Sequence, residues 1–519
     1  MKRILALFLA LLTLLSLAAC GSDGDSSSVA DSAESTLSQE TYESADSSET
    51  SVGFAESFDE NGRYIPVNYE DMKIMKLTQW DMCEGIVDSS YSEKTFRKKA
   101  KKVMENIAEG GFNTVLLQLR PFADSYYKSE LYPLSYFVTG SYENQETKYD
   151  VVEIFIEEAH ALGLSIHAWF NPMRCMTRNE IEAVTGEWAI TKWYSHMGDG
   201  GEYSEYMFAG TDAGGTARLY LNPAYPEVRQ LIIDGVGEIL ENYKVDGVFM
   251  DDYFYPEEVK SKLSIDEVAF FNRTDDSRSV FQFRCNNVNT LVKGIYSKVK
   301  EYGEDIIYGI SPNAHISHAY GAECADIYTW CSEEGYCDIM YPQYYYGMLH
   351  AQASISALMK EWDSVMTNKK IKLVPVLTLH KAGANDQWAV AEDAKSEWID
   401  HSDVLLSSMT YLLINPYRDI DGIGFFCYQY FYGSKKLSTA VKAERDSYAP
   451  IWKEYETLIG KSKEELCEYY ASVGLDLKAL GDEWDARLTA TGRFEALFDI
   501  PETSVIVSGA ESTESTESK

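Results

Sequence analysis

Eight short, almost wholly apolar runs recur along the chain, and a longer amphipathic stretch separates each from the next. The runs span residues 74–80, 114–120, 165–171, 245–253, 306–312, 338–345, 372–379 and 422–430. Near-continuous apolar runs of this length fit strands buried on both faces, as in a parallel sheet. The intervening stretches carry helix signals. Ser92 can cap a helix to residue 109, with Phe96, Ala100, Val103, Met104 and Ile107 on one face and Gly110-Gly111 at its end. Asp150 caps another, and Pro226 opens a third that runs to residue 243. Further helices are expected over 279–302, 326–335, 351–366 and 392–413. Strand–helix alternation implies a parallel sheet, and eight strands is the number that closes. The expected fold class is therefore α/β, a (β/α)₈ TIM barrel over residues 71–450. Residues 173–222 are too long for an ordinary βα loop and read as a cap inserted after strand three on the catalytic face. Residues 451–507 read as extra helices outside the barrel.

The two ends of the chain read differently. Lys2 and Arg3 precede an apolar run from residue 4 to 17, and Leu17-Ala18-Ala19-Cys20 closes it. That order is an export-signal pattern, and the run is too short to span a bilayer. It resembles a bacterial lipoprotein signal, which implies lipidation of Cys20 and an extracytoplasmic protein anchored to the cell membrane. Residues 21–70 are rich in Ser, Asp, Glu and Thr and are expected to be a loose acidic tether. The Glu-Ser-Thr repeats of 508–519 are expected to be a loose tail.

Formal net charge is −36. The stretch from Gly21 to Asp71 contributes −12 of it, from 13 acidic residues and one arginine. The remainder is still acidic, which argues against a nucleic-acid partner. There are nine cysteines. No CxxC pair occurs and the histidines do not cluster with them, so no zinc site, other metal or cofactor is expected. Export permits disulfides, and Cys324, Cys331 and Cys337 are close enough in sequence for a local bridge. A monomer is expected.

In a (β/α)₈ barrel the active site lies at the C-terminal ends of the strands. Strand two ends in Arg120, followed by Asp124. Strand three holds His167 and Trp169 and ends at Asn171, with Arg174 beyond. Strand four ends Asp251-Asp252-Tyr253, strand five leads to Asn313, and strand six ends in Tyr341, Gln343 and Tyr345. Strand eight ends in Tyr428. Trp and Tyr stack on the C–H faces of sugars, while Arg, Asn, Gln and Asp bind the hydroxyls. Any one of these aromatics can equally be core packing; the set together suggests a carbohydrate cleft.

Asp251 and Asp252 are the sharpest feature. Neighbouring strand residues point to opposite sides, so one of the two faces the barrel axis. The pleat groups Asp251 with Phe249 and Tyr253 as inward-facing, which leaves Asp252 at the rim within reach of Arg174. Asp251 is expected to be the lead catalytic carboxylate and Asp252 its support. Glycoside hydrolysis usually needs a second carboxyl. Asp124, Glu257 and Glu258 are candidates, and attack by a sugar's own acetamido group is an alternative. His167 can orient a carboxylate or be a satisfied core histidine. Arg120 and Arg174 can pair with Asp124 and Asp252 or fork onto an acidic sugar.

These stretches resemble the bacterial glycoside-hydrolase-like family 10 proteins. The matching segments include QLRPFADSYYKSELYPLSYFVTG, SIHAWFNPMR, VDGVFMDDYFYP, RCNNVN, YGISP and DIMYPQYYYG. The resemblance covers roughly residues 74–435. It implies a (β/α)₈ hydrolase of cell-wall glycan, in particular peptidoglycan strands stripped of their peptides. It also implies roles for Arg120, Asp124, His167, Asn171, Arg174, Asn222, Asp251, Asp252, Tyr253, Arg284, Asn287 and Gln343. After YGISP the family tends to have Phe-Gly, whereas Asn313-Ala314-His315 stand here. The expectation is a glycoside hydrolase in which Arg120 and Arg174 read a muramic carboxylate. A hydrolase of another extracellular polysaccharide and a surface protein that binds glycan without cutting it are the competing readings.

Overall fold

The computed structural model describes residues 56–491, apart from 213, 274–276 and 434–436. The expected signal segment with Cys20 and the tail at 508–519 lie outside the described residues.

Eight parallel strands form a barrel, each paired with its neighbours in chain order. They are β1 (Met72–Leu77), β2 (Thr114–Arg120), β3 (Ser165–Phe170), β4 (Gly247–Asp251), β5 (Ile307–Ser311), β6 (Ile339–Met340), β7 (Lys372–Leu373 with Val376–Thr378) and β8 (Gly422–Phe426). The first half of β7 pairs with β6, its second half pairs with β8, and β8 pairs with β1, which closes the ring. Prolines shape the two irregular strands. Pro342 and Pro375 have no N–H to give a ladder. The expected runs 338–345 and 372–379 are accordingly shortened or split, and the isolated bridge between Gln343 and Val376 continues the pairing.

Helices cover the outside: α1 (Glu93–Glu109), α2 (Val151–His160), α3 (Pro226–Asn242), α4 (Val280–Tyr302), α5 (Ile316–Glu323), α6 (Ile355–Val365), α7 (Val404–Ile414) and α8 (Thr439–Lys453). The Ser92 hydroxyl caps α1 at the Thr95 N–H and Asp150 caps α2, as their sequence positions suggest. The expected helix over 392–413 is two. The Glu444 carboxylate accepts from the Val404 and Leu405 N–H groups and starts α7 afresh.

Two apolar clusters result. The larger fills the space between strands and helices. The smaller lies inside the barrel, where Met72, Ile74, Leu116, Trp169, Phe249, Ile339, Tyr341, Val374 and Val376 meet. The N-terminal end of the barrel is sealed by residues expected to belong to the tether. Ser57–Phe58 pairs antiparallel with Tyr64–Ile65. The Tyr64 hydroxyl and Val67 N–H both donate to the buried Asp246 carboxylate at 2.6 Å. A partly apolar end to an otherwise polar stretch therefore joins the fold.

The segment after β3 contains helices Arg178–Ala183 and Ala189–Ser195 and a hairpin of Met207–Thr211 with Ala217–Leu221. The Cys175 N–H donates to the Leu219 carbonyl of this hairpin and the Leu219 N–H donates to the Met176 carbonyl, so the insertion is rooted where β3 ends. Helices Lys463–Ser472 and Leu477–Ala490 follow α8, and the Tyr470 hydroxyl meets Thr410 of α7 at 2.7 Å.

Candidate active site at the mouth of the barrel

Inside the barrel the side chains change from apolar to charged toward the C-terminal ends of the strands. Phe249 belongs to the inner cluster, and Asp251, two residues on, points the same way. Lys76 follows the same rule on β1 after Met72 and Ile74. Its ammonium lies 3.7 Å from Asp251 Oδ1, over the rings of Trp169 at 4.3 Å and Phe249 at 4.9 Å. A lysine there is 1% exposed, and the carboxylate and the aromatic faces compensate its lost hydration. Gln343 Nε2 donates to Asp251 Oδ1 at 3.0 Å and to the Ser311 carbonyl at 3.2 Å. Asp251 is thereby fixed from two sides.

Asp252 is half-buried beside it. Burial first, and then the Asp251 charge, push the Asp252 carboxyl up to about 7, against the opposing pull of Lys76. Burial also raises Asp251, with Lys76 the chief force holding it down. Lys76 and Gln343 lower both carboxyls, but their direct contacts are to Asp251 Oδ1, and the proton goes to Asp252.

Tyr345 and Tyr253 complete this wall. The Tyr345 ring packs on Phe426 and His380, and its hydroxyl is buried next to the acid pair with no hydrogen-bond partner among the described residues. Tyr253 is half-buried, with the Arg174 guanidinium 4.2 Å over its ring. Asn313 Oδ1 accepts from the Tyr346 hydroxyl at 3.1 Å at the adjacent rim. Asn171 accepts from Trp169 Nε1 at 3.1 Å and from Gln118 Nε2 at 3.3 Å. It links the inner aromatic floor to the top of β2.

Several expected ligand residues lie elsewhere. A bulge at Leu119 shifts the pairing so that Gln118 faces Trp169 while Arg120 faces Phe170. One inserted residue turns the side chain to the other face. Arg120 therefore leaves the barrel interior and stacks over Phe170 and Tyr132 beneath Gly235 of α3, 1% exposed. Arg120→Met is expected to leave KM unchanged and to melt no lower than wild type, because a buried unpaired guanidinium adds little to stability; steady-state kinetics and calorimetry check both. Arg174 does not meet Asp252. Its Nη2 donates to Asp212 at 2.7 Å, where Arg218 also binds. Burial alone would raise Asp212, but the Thr216 N–H and Arg174 outweigh it and hold it low. Asp124 is fully buried, accepts from the Phe122 N–H at 3.0 Å, and is pushed up to about 6 by burial. Its surroundings are Ser135 and Glu180 rather than the acid pair.

His167 is a core histidine. It lies at the closed end of the barrel against Ser165 at 3.2 Å and Gly247, and burial drives it down to about 4, hence neutral. Tyr341 lies too deep, in the inner cluster against Phe249. Tyr428 points outward, because β8 stops at Phe426 and the chain turns into the helix Gln429–Tyr432. Its hydroxyl accepts from Asn106 of α1 at 2.8 Å. Asn222 and Arg284 are ties. Asn222 Nδ2 donates to the Glu205 and Ile265 carbonyls, and Arg284 binds Asp266 and three carbonyls of the loop after β4. Asn287 is buried beside Tyr255 on the same loop.

Sequence reasoning missed two residues of the mouth. Lys76 carried a signal, a lysine within an otherwise apolar strand. Glu323, at the end of α5, carried none. Burial first, and then Asp252, push its carboxyl well up; its Oε2 is buried with no hydrogen-bond partner among the described residues, and its Oε1 lies 3.7 Å from His318 Nε2. Glu257 and Glu258 lie on the exposed loop after β4, with Glu257 paired to Lys260. Among the described residues no group of three or more His, Cys, Asp or Glu is placed to hold a metal ion.

Comparison with known proteins gives the following. The family described as glycosyl hydrolase-like 10 matches residues 80–390. The protein named glycosyl hydrolase YngK of Bacillus subtilis is 28% identical over 302 residues, which is 54% of this chain and 55% of that one. Glycosyl hydrolase DigH of Escherichia coli K12 is 27% identical over 306 residues, 54% of this chain and 65% of that one. The chain thus spans just over half to about two thirds of these relatives' length. The glycoside hydrolase domain of PgaB (BpsB) from Bordetella bronchiseptica aligns with 76% of this chain and 100% of its own at 12% identity and a TM-score of 0.46.

Proposed function

This chain belongs to the glycosyl hydrolase-like 10 family, and on that basis we propose that it hydrolyses glycosidic bonds of a cell-wall glycan, peptidoglycan strands freed of their peptides. Asp251 serves as the standing negative charge and Asp252 as the proton donor to the leaving oxygen. The observation that supports this most is the unequal pair itself. Two carboxyls at the end of β4 share a mouth, one fixed by Lys76 and Gln343 and the other pushed up to about 7. Environments that push two carboxyls apart separate an acid from an anion, which is the division glycoside hydrolysis uses. Glu323 is a third carboxyl within electrostatic reach of the same pair and replaces Asp124, Glu257 and Glu258 as the further protein group available to the reaction.

The chain acts outside the cytoplasm, held to the membrane through Cys20. The substrate rests on the family resemblance and not on an arginine fork, because Arg120 and Arg174 are both buried and occupied away from the acid pair. Release of reducing ends tests the reading, measured on peptide-free glycan strands, on strands carrying stem peptides and on a neutral polysaccharide. Turnover is expected on the first and lost in Asp251→Asn. Turnover confined to the neutral polysaccharide would move the substrate. Glycan binding with no turnover in either protein would leave a receptor in place of an enzyme.

A further inference from the structure

We propose that Cys285 and Cys324 close into a disulfide that staples the end of α5 to α4, next in sequence to Glu323. The inference comes from register. Phe281, Cys285 and Asn289 stand four residues apart on α4 and share one face. The first and last of them meet partners on the α5 side. The Phe281 ring lies 5.0 Å from that of Tyr320, edge to face, and Asn289 Nδ2 donates to Asp326 Oδ2 at 2.9 Å. Asn289 Oδ1 also accepts from Trp330 Nε1 at 2.7 Å. Cys285 and Cys324, both free thiols in this structure, fall between these fixed points, and the Cys285 thiol is pushed up chiefly by its neighbour Cys324. Both are buried, at 5% and 2% exposed, so neither can turn away to solvent. Cys324, Cys331 and Cys337 are free thiols in this structure, so the expected local bridge is not formed, and the proposed pairing runs across two helices instead.

Cys324 is the left-handed residue that ends α5, at φ 59°, and Glu323 precedes it directly. A covalent tie at Cys324 therefore restrains the Glu323 carboxyl, which Asp252 influences electrostatically. The oxidant is a small-molecule disulfide such as oxidised glutathione. One protein thiolate attacks it and releases a glutathione thiol; the second protein thiolate then displaces the other. The protein loses two electrons and two protons, and one glutathione disulfide becomes two thiols. Contact with Cys324, and burial, push the Cys285 thiol far up, so it is a poor nucleophile once folded, and closure belongs to the folding chain.

The test refolds the reduced full chain with oxidised glutathione, alkylates the remaining thiols under denaturing conditions and maps the peptides by mass spectrometry. A Cys285–Cys324 cross-link is expected, with Cys331 and Cys337 alkylated. The oxidised protein should melt about 5 °C above the reduced one. That gain should vanish equally in Cys285→Ser and Cys324→Ser. Alkylation of both Cys285 and Cys324 in the refolded wild type overturns the proposal, and so does a gain that survives in either variant. The mapping needs no substrate, so its outcome is independent of the reaction assigned above.

Discussion

Asp252→Asn lowers kcat/KM by about 10²–10⁴, the range a positioned proton donor contributes. The asparagine keeps the shape of the side chain and cannot deliver a proton. The same substitution is expected to raise stability at alkaline pH. The folded Asp252 carboxyl sits near 7, against an ordinary value of 3.8. A carboxyl raised on folding favours the fold below its unfolded value and loses that contribution as pH climbs through the folded one. Wild type therefore gives up this contribution between about pH 4 and 7, and the asparagine variant lacks it. Melting curves should place Asp252→Asn above wild type at pH 8, with the gap narrowing toward pH 4. Loss of activity together with a lower melting point at pH 8 would mark the residue as structural.

Lys76→Met destabilises the protein by about 3–5 kcal/mol at pH 8, the cost of leaving one member of a buried ion pair without the other. Lys76 is 1% exposed and the Asp251 side chain 7%. Methionine fills the space over Trp169 and Phe249 but leaves Asp251 charged among rings. Without the cation both carboxyls rise further, since Lys76 is what lowers each. The loss is accordingly largest above neutrality and shrinks as acid supplies the missing proton. Lys76→Met with Asp251→Asn should recover much of it, because the double variant buries no unpaired charge. Denaturant unfolding at pH 5 and 8 measures all three; equal losses at both values would separate Lys76 from the carboxyl charge.

The barrel could be read from the chain because each strand announces itself. Thr114–Arg120 was legible residue for residue, since Asn113 and Pro121 bound an unbroken run. Where the reading slipped, a local hydrogen bond had won. Thr78 and Asp81 cap the short helix Gln79–Cys83, so β1 ends earlier than its apolar pattern. The position of Asp251 followed from the pleat, which period two makes computable. The position of Arg120 did not, because the bulge at Leu119 leaves no trace in residue type. Tyr341 and Tyr345 read alike in sequence, yet the one packs into the floor and the other borders the acids. Glu323 was beyond reach: it stands on a helix more than a strand's length past β5, and only tertiary packing brings it toward Asp252.

The pH dependence of kcat/KM on peptide-free glycan strands tests the unequal pair most directly. Asp252 must carry its proton to act, so the rate should fall about tenfold per pH unit above pH 7, and in Lys76→Met that limb should move to higher pH. A rate that holds level from pH 6 to 9, or a limb that stays put when Lys76 is removed, would contradict the assignment of Asp252 as the acid and Asp251 as its anionic neighbour.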